Sequence, residues 1–439
     1  MIMRQTEKQK ARLRQPLSPG AKVVLAFLGG ILLGTVLLSL PVSHTGAVPV
    51  RPFDALFTAT SAICVTGLAV VETGTAFSPF GQAVILLLIQ VGGLGVAVLG
   101  VSVAMLSGRH MSLRARALIR ESWNVGSFGG LRQLLRKVLI LTISVESAGA
   151  LAFWACFARW FPAGKALWIG AFHAVSAFNN AGFDILGRGD SLISLGDDLC
   201  VNLLTAAMVI TGGLGYLVLF DLFGRRKRKL QLHTKVVLLM TGILLAGGTV
   251  VLYLTEDISL IGAFFQSMSA RTAGFSTRNL AAFSKAGIFA LCVLMFIGAS
   301  PGSTGGGVKT TTVFALGMAI CAASSGTRRQ AFHRRVPGDV VEKAFLVVIA
   351  GITVLLTGTF LLCIFEPGKD FLRLMFETVS AFGTVGVSMG LTPELCTASR
   401  CVVIVLMFLG RLGPMTVAAM WAGRQEPAFR YSEERIPIG

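Results

Sequence analysis

The sequence predicts an all-α integral membrane protein. Four tandem helix, pore-loop, helix repeats, with eight transmembrane helices and four re-entrant half-helices, surround one central pore. Three observations predict this. The chain is 54% hydrophobic and only 14% charged. Several apolar runs exceed the roughly 18 to 20 residues a helix needs to cross a bilayer core. A short motif recurs four times, once between the members of each successive pair of runs.

A mean hydropathy of +0.75 over 439 residues lies far outside the balance of a soluble domain and excludes a single globular core. Apolar runs between loop charges place spans at 22–42, 81–107, 137–161, 199–223, 236–254, 286–320, 343–365 and 400–422. The first follows the basic stretch Arg4, Lys8, Lys10, Arg12 and Arg14, as a secretory signal does. It is too long for a typical signal core and more spans follow, so an uncleaved first helix fits better.

The formal charge of +18 raises a nucleic-acid reading, which the placement of the charges removes. Basic residues gather in five segments: the amino terminus to Lys22, Arg109 to Lys137, Arg225 to Lys235, Arg328 to Lys343, and the tail from Arg424. The other connections are acidic, with Asp54, Glu72, Asp184, Asp190, Asp197, Asp198, Glu256, Asp257, Glu366, Asp370, Glu377 and Glu394. An excess of Lys and Arg marks cytoplasmic loops, so both termini and three loops are predicted inside. The eight cysteines, at 64, 156, 200, 292, 321, 363, 396 and 401, form no Cys-x-x-Cys pair, and no His stands at zinc-like spacing. Neither a metal site nor a disulfide framework is predicted, and most of the cysteines read as small apolar packing residues.

Between the members of each pair lies a semi-apolar segment of about 12 to 15 residues, too short to cross and therefore read as a re-entrant half-helix. Each carries one motif: Phe57-x-x-x-Ser61-Ala62 before Gly67, Phe172-x-x-x-Ser176-Ala177 before Gly182, Phe265-x-x-x-Ser269-Ala270 before Gly274, and Phe376-x-x-x-Ser380-Ala381 before Gly386. Chance supplies about 0.07 such matches, so the repeat is real. The third copy is one residue shorter between Ala and Gly. The following spans carry glycines at a similar offset: Gly92 and Gly93, Gly212 and Gly213, Gly298, and Gly410. The predicted organisation is a cytoplasmic N-terminal segment 1–20, repeat 1 over 21–107, a basic loop and repeat 2 over 108–223, a basic loop and repeat 3 over 224–321, a basic loop and repeat 4 over 322–423, and a cytoplasmic tail 424–439.

A bare alkali cation such as K⁺ cannot enter hydrocarbon unless oxygen dipoles replace its water shell. A half-helix aims the negative end of its dipole at the pore centre, and the Gly after it allows backbone conformations and close approach that a side chain resists. Ion-coordinating carbonyls are therefore placed at Val65-Thr66-Gly67, Asn180-Ala181-Gly182, Thr272-Ala273-Gly274 and Thr384-Val385-Gly386. These loops hold no ring of Asp or Glu, which favours a dehydrating carbonyl filter over a carboxylate-ring pore. Glycine turns in an ordinary polytopic fold are the alternative, and four copies weigh against it.

A second unusual stretch, residues 300–312, interrupts a span with Pro301-Gly302-Ser303-Thr304-Gly305-Gly306-Gly307-Val308-Lys309. It cannot hold a regular helix, and irregular backbone at membrane depth is tolerated only against protein or a water-filled cavity. Gly302 and Gly307 begin like a phosphate-cradling loop, but Val308 displaces Lys309 and no strand precedes the segment. The segment reads instead as a gating barrier below the filter, with Lys309 adding positive charge that deters cations. Arg411 lies inside the last span at the depth of that segment, where contacts with its carbonyls compensate the charge. Pinning helices together is the other reading of Arg411. Glu146, also inside a span, is left open between a packing hydrogen bond and an ion-pathway carboxylate. His44 and His173 read as incidental at the outer face.

These residues closely resemble the membrane subunit of the Ktr/Trk/HKT superfamily of potassium transporters. The resemblance covers nearly the whole chain and rests on residues 58–68, 176–183 and 270–275 and on the Pro301 to Lys309 loop. It implies four helix-pore-helix units around one pore, with Gly67, Gly182, Gly274 and Gly386 as filter glycines. Glycine at all four places implies K⁺ selectivity rather than the Na⁺ preference of members with serine at the first. The chain lacks the two additional N-terminal spans of Trk-type members and looks most like the Ktr type. That type implies a homodimer in the plasma (bacterial inner) membrane, seated on a cytoplasmic nucleotide-binding regulatory ring, with K⁺ as substrate, Na⁺ as an activator and no cofactor. The basic cytoplasmic loops suit such docking, although phospholipid headgroups attract the same charges. The resemblance also places Gly302 to Gly307 as an intramembrane gate and Arg411 beside it.

The rival within transport is an alternating-access carrier of Na⁺ or K⁺, since broken helices and repeats mark those folds too. Inverted topology needs an odd number of spans per repeat, and two are counted here. An enzyme is the rival from another class, but no Ser-His pair, His-Glu-x-x-His or paired intramembrane carboxylates are present.

Overall fold

The computed structural model describes residues 19–95, 131–187, 189–224, 229–326 and 329–413. Most of the N-terminal segment, the second half of the 81–107 span, most of the first basic loop, the end of the 400–422 span and the C-terminal tail lie outside the described residues.

Four long apolar helices dominate: α1 (Pro19–Leu38), α4 (Leu131–Phe157), α8 (Leu232–Thr255) and α12 (Gly338–Phe365). Each is long and apolar enough to cross a membrane, so the protein is multi-pass. The outward faces are apolar. On α12 the exposed residues Ile352, Leu356, Phe360 and Ile364 recur every four positions and form one stripe, as a lipid-facing helix requires.

Each long helix leads into a shorter, buried one: α2 (Pro52–Ile63), α5 (Ala163–Phe178), α9 (Leu260–Ser269) and α13 (Phe371–Gly383). Their starts are set locally. Pro52 occupies the first turn of α2, where the Asp54 carboxylate accepts from the Arg51 N–H at 3.1 Å. Ser259 and Asp370 cap α9 and α13 by accepting from the N–H groups of Gly262 and Leu372. The Phe, Ser and Ala of all four motif copies are buried, which is why the motif keeps its spacing.

The third element of each repeat is α3 (Pro79–Leu94), α6 (Leu199–Leu214), α10 (Lys285–Phe296) or α14 (Thr397–Leu412). Here the structure corrects the sequence. The span predicted at 199–223 is not continuous: α6 ends at Gly215, with φ of 90°, and the chain turns by 99° into α7 (Tyr216–Leu222). The reason is steric, since a side chain on Gly215 would stand 3.0 Å from the carbonyls of Pro301 and Gly302. α3 and α14 likewise end at Gly95 and Gly413, with φ of 88° and 80°. The 286–320 run breaks over residues 297–309 before α11 (Thr310–Ser324), as its composition predicts. A two-residue hairpin, β1 (Gln330–Ala331) with β2 (Arg334–Arg335), adds a small sheet to the loop before α12. Phe332 and His333 at its tip both have positive φ, as a tight hairpin turn demands.

The repeats pack in chain order around a closed circle. α3 meets α5, α6 meets α9, α10 meets α13, and α14 returns to α2. Glycines make these helices fit. A Cβ on Gly212 would collide with the carbonyl of Phe178, and one on Gly410 with that of Phe382. Helical Gly normally costs about 0.5 to 1 kcal/mol relative to Ala, but here the larger side chain overpacks the site by about 1 to 3 kcal/mol. Gly212→Val is expected to lower the unfolding temperature of the detergent-solubilised protein, whereas Gly242→Ala, where a Cβ meets nothing within 4 Å, leaves it unchanged or raises it.

Candidate functional site: a ring of main-chain carbonyls

Where the four buried helices end, the four loops converge. A Cβ built on Gly67 would stand 3.1 Å from the Cα of Gly182, and one on Gly182 would stand 2.6 Å from the Cα of Gly274. One on Gly274 would lie 2.7 Å from the carbonyl oxygen of Val385, and one on Gly386 would lie 3.1 Å from the Cα of Gly67. The circle closes. The oxygens follow the same order: the carbonyls of Ala181, Ala273, Val385 and Thr66 lie against Gly67, Gly182, Gly274 and Gly386 respectively.

The backbone that brings them there is unusual. All four glycines have φ between 69° and 93°, and the residues two before them, Val65, Asn180, Thr272 and Thr384, also have positive φ, between 49° and 73°. Alternating handedness turns successive carbonyls to one side, which an extended strand does not do. A non-glycine residue in the left-handed region costs about 1 to 3 kcal/mol and persists only when its surroundings fix it. All four are fully buried.

Hydrogen bonds supply the fixing. In every repeat the backbone oxygen of the motif Ser accepts from the residue before the filter Gly: Thr66 to Ser61 at 2.8 Å, Ala181 to Ser176 at 2.7 Å, Ala273 to Ser269 at 2.9 Å, Val385 to Ser380 at 2.9 Å. The Ser hydroxyls of repeats 1 and 4 accept from the N–H of Gly67 and Gly386, at 3.0 and 3.2 Å. Ser269 instead donates to the carbonyl of Phe275. The one-residue shortening of the third loop changes which groups meet while preserving the backbone anchor.

Beneath the ring runs the broken segment of repeat 3. Gly298 N–H donates to Val308 at 2.8 Å, so the segment closes on itself, and the Tyr216 N–H donates to Gly302 at 3.1 Å. The Thr304 hydroxyl contacts the Phe178 carbonyl at 3.2 Å and Asn180 Oδ1 at 3.3 Å. Gly305 lies against Thr272 and Gly306 against Thr384, leaving no room for a Cβ at either. Gly302 and Gly307 hold φ of 71° and 68° at the bends, and the Ser303 hydroxyl donates to Ser300 at 2.6 Å. Lys309 turns its ammonium onto the segment's own carbonyls, Gly305 at 2.6 Å and Gly306 at 3.2 Å. Arg411 donates to Thr304 of the same segment and to Gly92 of repeat 1. Three successive carbonyls, 304 to 306, are thus held by cationic side chains.

Above the ring, a cavity of about 490 Å³ opens outward past Glu72, Asp184 and Asp190. Burial, reinforced by Glu72 and Asp190, pushes the Asp184 carboxyl up to about 6, although it accepts from the Leu186 N–H. At neutral pH it remains mostly ionised, and the mouth is negative.

The sequence reading missed some residues and misplaced others. Glu146 accepts from Gln90 at 2.6 Å and from Asn179 at 2.9 Å, which makes it a brace behind the second loop; the distant partners Gln90 and Asn179 left no local signal. His173 is not incidental: it is buried among Phe153, Phe157 and Phe275 and bonded to Thr205 at 3.0 Å. Glu377, counted from the sequence among the acidic connections, lies buried in α13, accepting from Ser388 at 2.9 Å and from Thr392.

The comparisons agree with this architecture. The family model described as TrkH, cation transport protein, matches residues 31–429. The chain is 38% identical over 436 residues to the Ktr system potassium uptake protein B of Bacillus subtilis, covering 96% of this chain and 97% of that one. It is 36% identical to the potassium/sodium uptake protein NtpJ of Enterococcus hirae, covering 98% and 99%. The crystal structure of the potassium transporter TrkH from Vibrio parahaemolyticus superposes with a TM-score of 0.70 at 21% identity, over 90% of this chain and 84% of that one, which shows a shared fold. The chain belongs to the TrkH family of cation transport proteins.

Proposed function

We propose that the chain takes up potassium ions across the plasma membrane, through the ring formed by the carbonyls of residues 65–67, 180–182, 272–274 and 384–386. One observation carries the reading: the oxygens of Thr66, Ala181, Ala273 and Val385 each lie against the filter glycine of a neighbouring repeat, in an unbroken circle. Such a ring offers a stripped alkali cation a set of dipoles in place of water. The relatives named as potassium uptake and potassium/sodium uptake proteins support an alkali-cation cargo that includes K⁺; Na⁺ as an activator is part of the proposal. Four repeats arranged in chain order around a circle favour a pore over an alternating-access carrier built on inverted halves.

The segment from Gly302 to Gly307 is the barrier in this reading. Its carbonyls at 304 to 306 face the path but are occupied by Lys309 and Arg411, so a passing cation meets fixed positive charge. Opening requires that segment to leave. The positive-inside distribution of Lys and Arg supports cytoplasmic termini, and the repeats over 21–107, 108–223, 224–321 and 322–423 are proposed as the working units. A homodimer on a cytoplasmic nucleotide-binding ring suits the basic loops and the relatives named as parts of a Ktr system.

The purified chain in lipid vesicles is expected to take up radioactive Rb⁺, with excess K⁺ competing and Na⁺ competing far less. No uptake above protein-free vesicles defeats the proposal, and flux locked to Na⁺ at a fixed stoichiometry turns it into a carrier. Removing residues 302–307 is expected to raise flux by about tenfold, equivalent to about 1.4 kcal/mol off the barrier. Unchanged flux rejects the barrier. Arg411→Gln frees two carbonyls from charge-assisted bonds worth about 1.5 to 3 kcal/mol each. Flux per folded protein then changes several-fold, whereas a loss of yield at unchanged specific flux assigns Arg411 to helix pinning.

A further inference from the structure

The sequence treats most of the cysteines as packing residues, and two of them are placed otherwise. Cys156 sits one residue before the end of α4, and Cys200 is the second residue of α6. Their sulfurs are 2.9 Å apart across 44 positions of chain. Unbonded carbon atoms rest about 3.5 to 4.0 Å apart, and sulfur is larger, while a disulfide bond is about 2.0 Å. The two sulfurs therefore stand inside ordinary contact distance, though beyond that of a bond.

We propose that Cys156 and Cys200 are a disulfide-forming pair that staples the outer ends of the first and third helices of repeat 2, enclosing α5 and its filter loop. The surrounding contacts hold the two helix ends in register. Arg159 pairs with Asp198 at 2.8 Å, so the residues flanking each cysteine are themselves joined. Arg159 Nε also donates to the Cys156 carbonyl at 3.0 Å, and Asp198 caps α6 by accepting from Val201 at 2.9 Å. The Arg159 guanidinium lies 4.4 Å above the ring of the exposed Trp160, a pairing suited to the membrane-water boundary that water-soluble reagents reach. Cys200 is exposed and Cys156 is buried, which fixes the order of events.

The oxidant is a soluble disulfide, R–S–S–R. The Cys200 thiolate attacks one of its sulfurs and releases the first RS⁻. The Cys156 thiol, losing its proton, then attacks Cys200 Sγ and releases the second. Two protein thiols give up two electrons and two protons, and one R–S–S–R becomes two R–SH. The product constrains the unfolded chain over a long loop and so resists unfolding.

The full chain in lipid, incubated with oxidised glutathione, is denatured in a maleimide and its bound labels are counted by intact mass. With eight cysteines in the sequence, the expected count is eight after reduction and six after oxidation, with residues 156 and 200 recovered in one cross-linked peptide. Cys200→Ser, at an exposed position, keeps the fold and carries seven labels under both conditions; Cys156→Ser, which lacks the resolving thiol, carries seven after reduction and six with one retained glutathione after oxidation. The oxidised protein, but not the Cys200→Ser variant, unfolds at a higher temperature than the reduced one. In the unsubstituted chain, eight labels after oxidation, glutathione retained on Cys200, or a link between two chains each overturns the proposal.

Discussion

A main-chain carbonyl inside a membrane must find a hydrogen-bond donor or a cation, because the hydrocarbon offers no water. Helices satisfy that demand within themselves. Among the described residues, the chain departs from helix most fully in the four filter loops and in the segment at 297–309. In the first, oxygens line a circle of glycines; in the second, Lys309 and Arg411 cover them. The same chemical deficit thus produces an attractive zone and an obstructed one, stacked along a single axis in the proposed reading.

The covering cations carry their own cost. A charged side chain at the bilayer centre costs about 2.5 to 3.5 kcal/mol on insertion scales, offset only by partners such as these carbonyls. Arg411 also reaches Gly92, so the segment contributed by repeat 3 is tied through repeat 4 to repeat 1. Through Asn180 and Phe178 it touches repeat 2. A movement of that one segment is therefore felt in every wall of the ring.

Much of this was legible in the sequence because the signals were local. The Phe-x-x-x-Ser-Ala motif and its trailing Gly mark each buried half-helix, and hydropathy marks the long spans. The break at 297–309 was visible because Pro301 and four nearby glycines lie within a few positions. The bend at Gly215 was not, since Gly212 and Gly213 just before it stay helical and composition does not tell the three apart; only the carbonyls of Pro301 and Gly302, almost 90 positions away, explain it. Left-handed Val65, Thr272 and Thr384 were also invisible, because side chains of those types argue against the conformation they adopt. Tertiary constraint overrides local preference there. Glu146, His173 and Glu377 illustrate the same limit: a buried polar residue is defined by partners that spacing does not reveal.

One feature of the circle sets how substitution acts on it. A ring assembled from four identical subunits repeats any inherited change at every corner at once. Here the corners are Val-Thr-Gly, Asn-Ala-Gly, Thr-Ala-Gly and Thr-Val-Gly, drawn from a single polypeptide, and one of them follows a shorter loop. Each can drift separately, so the ring can be tuned in single-corner increments without losing its symmetry of purpose.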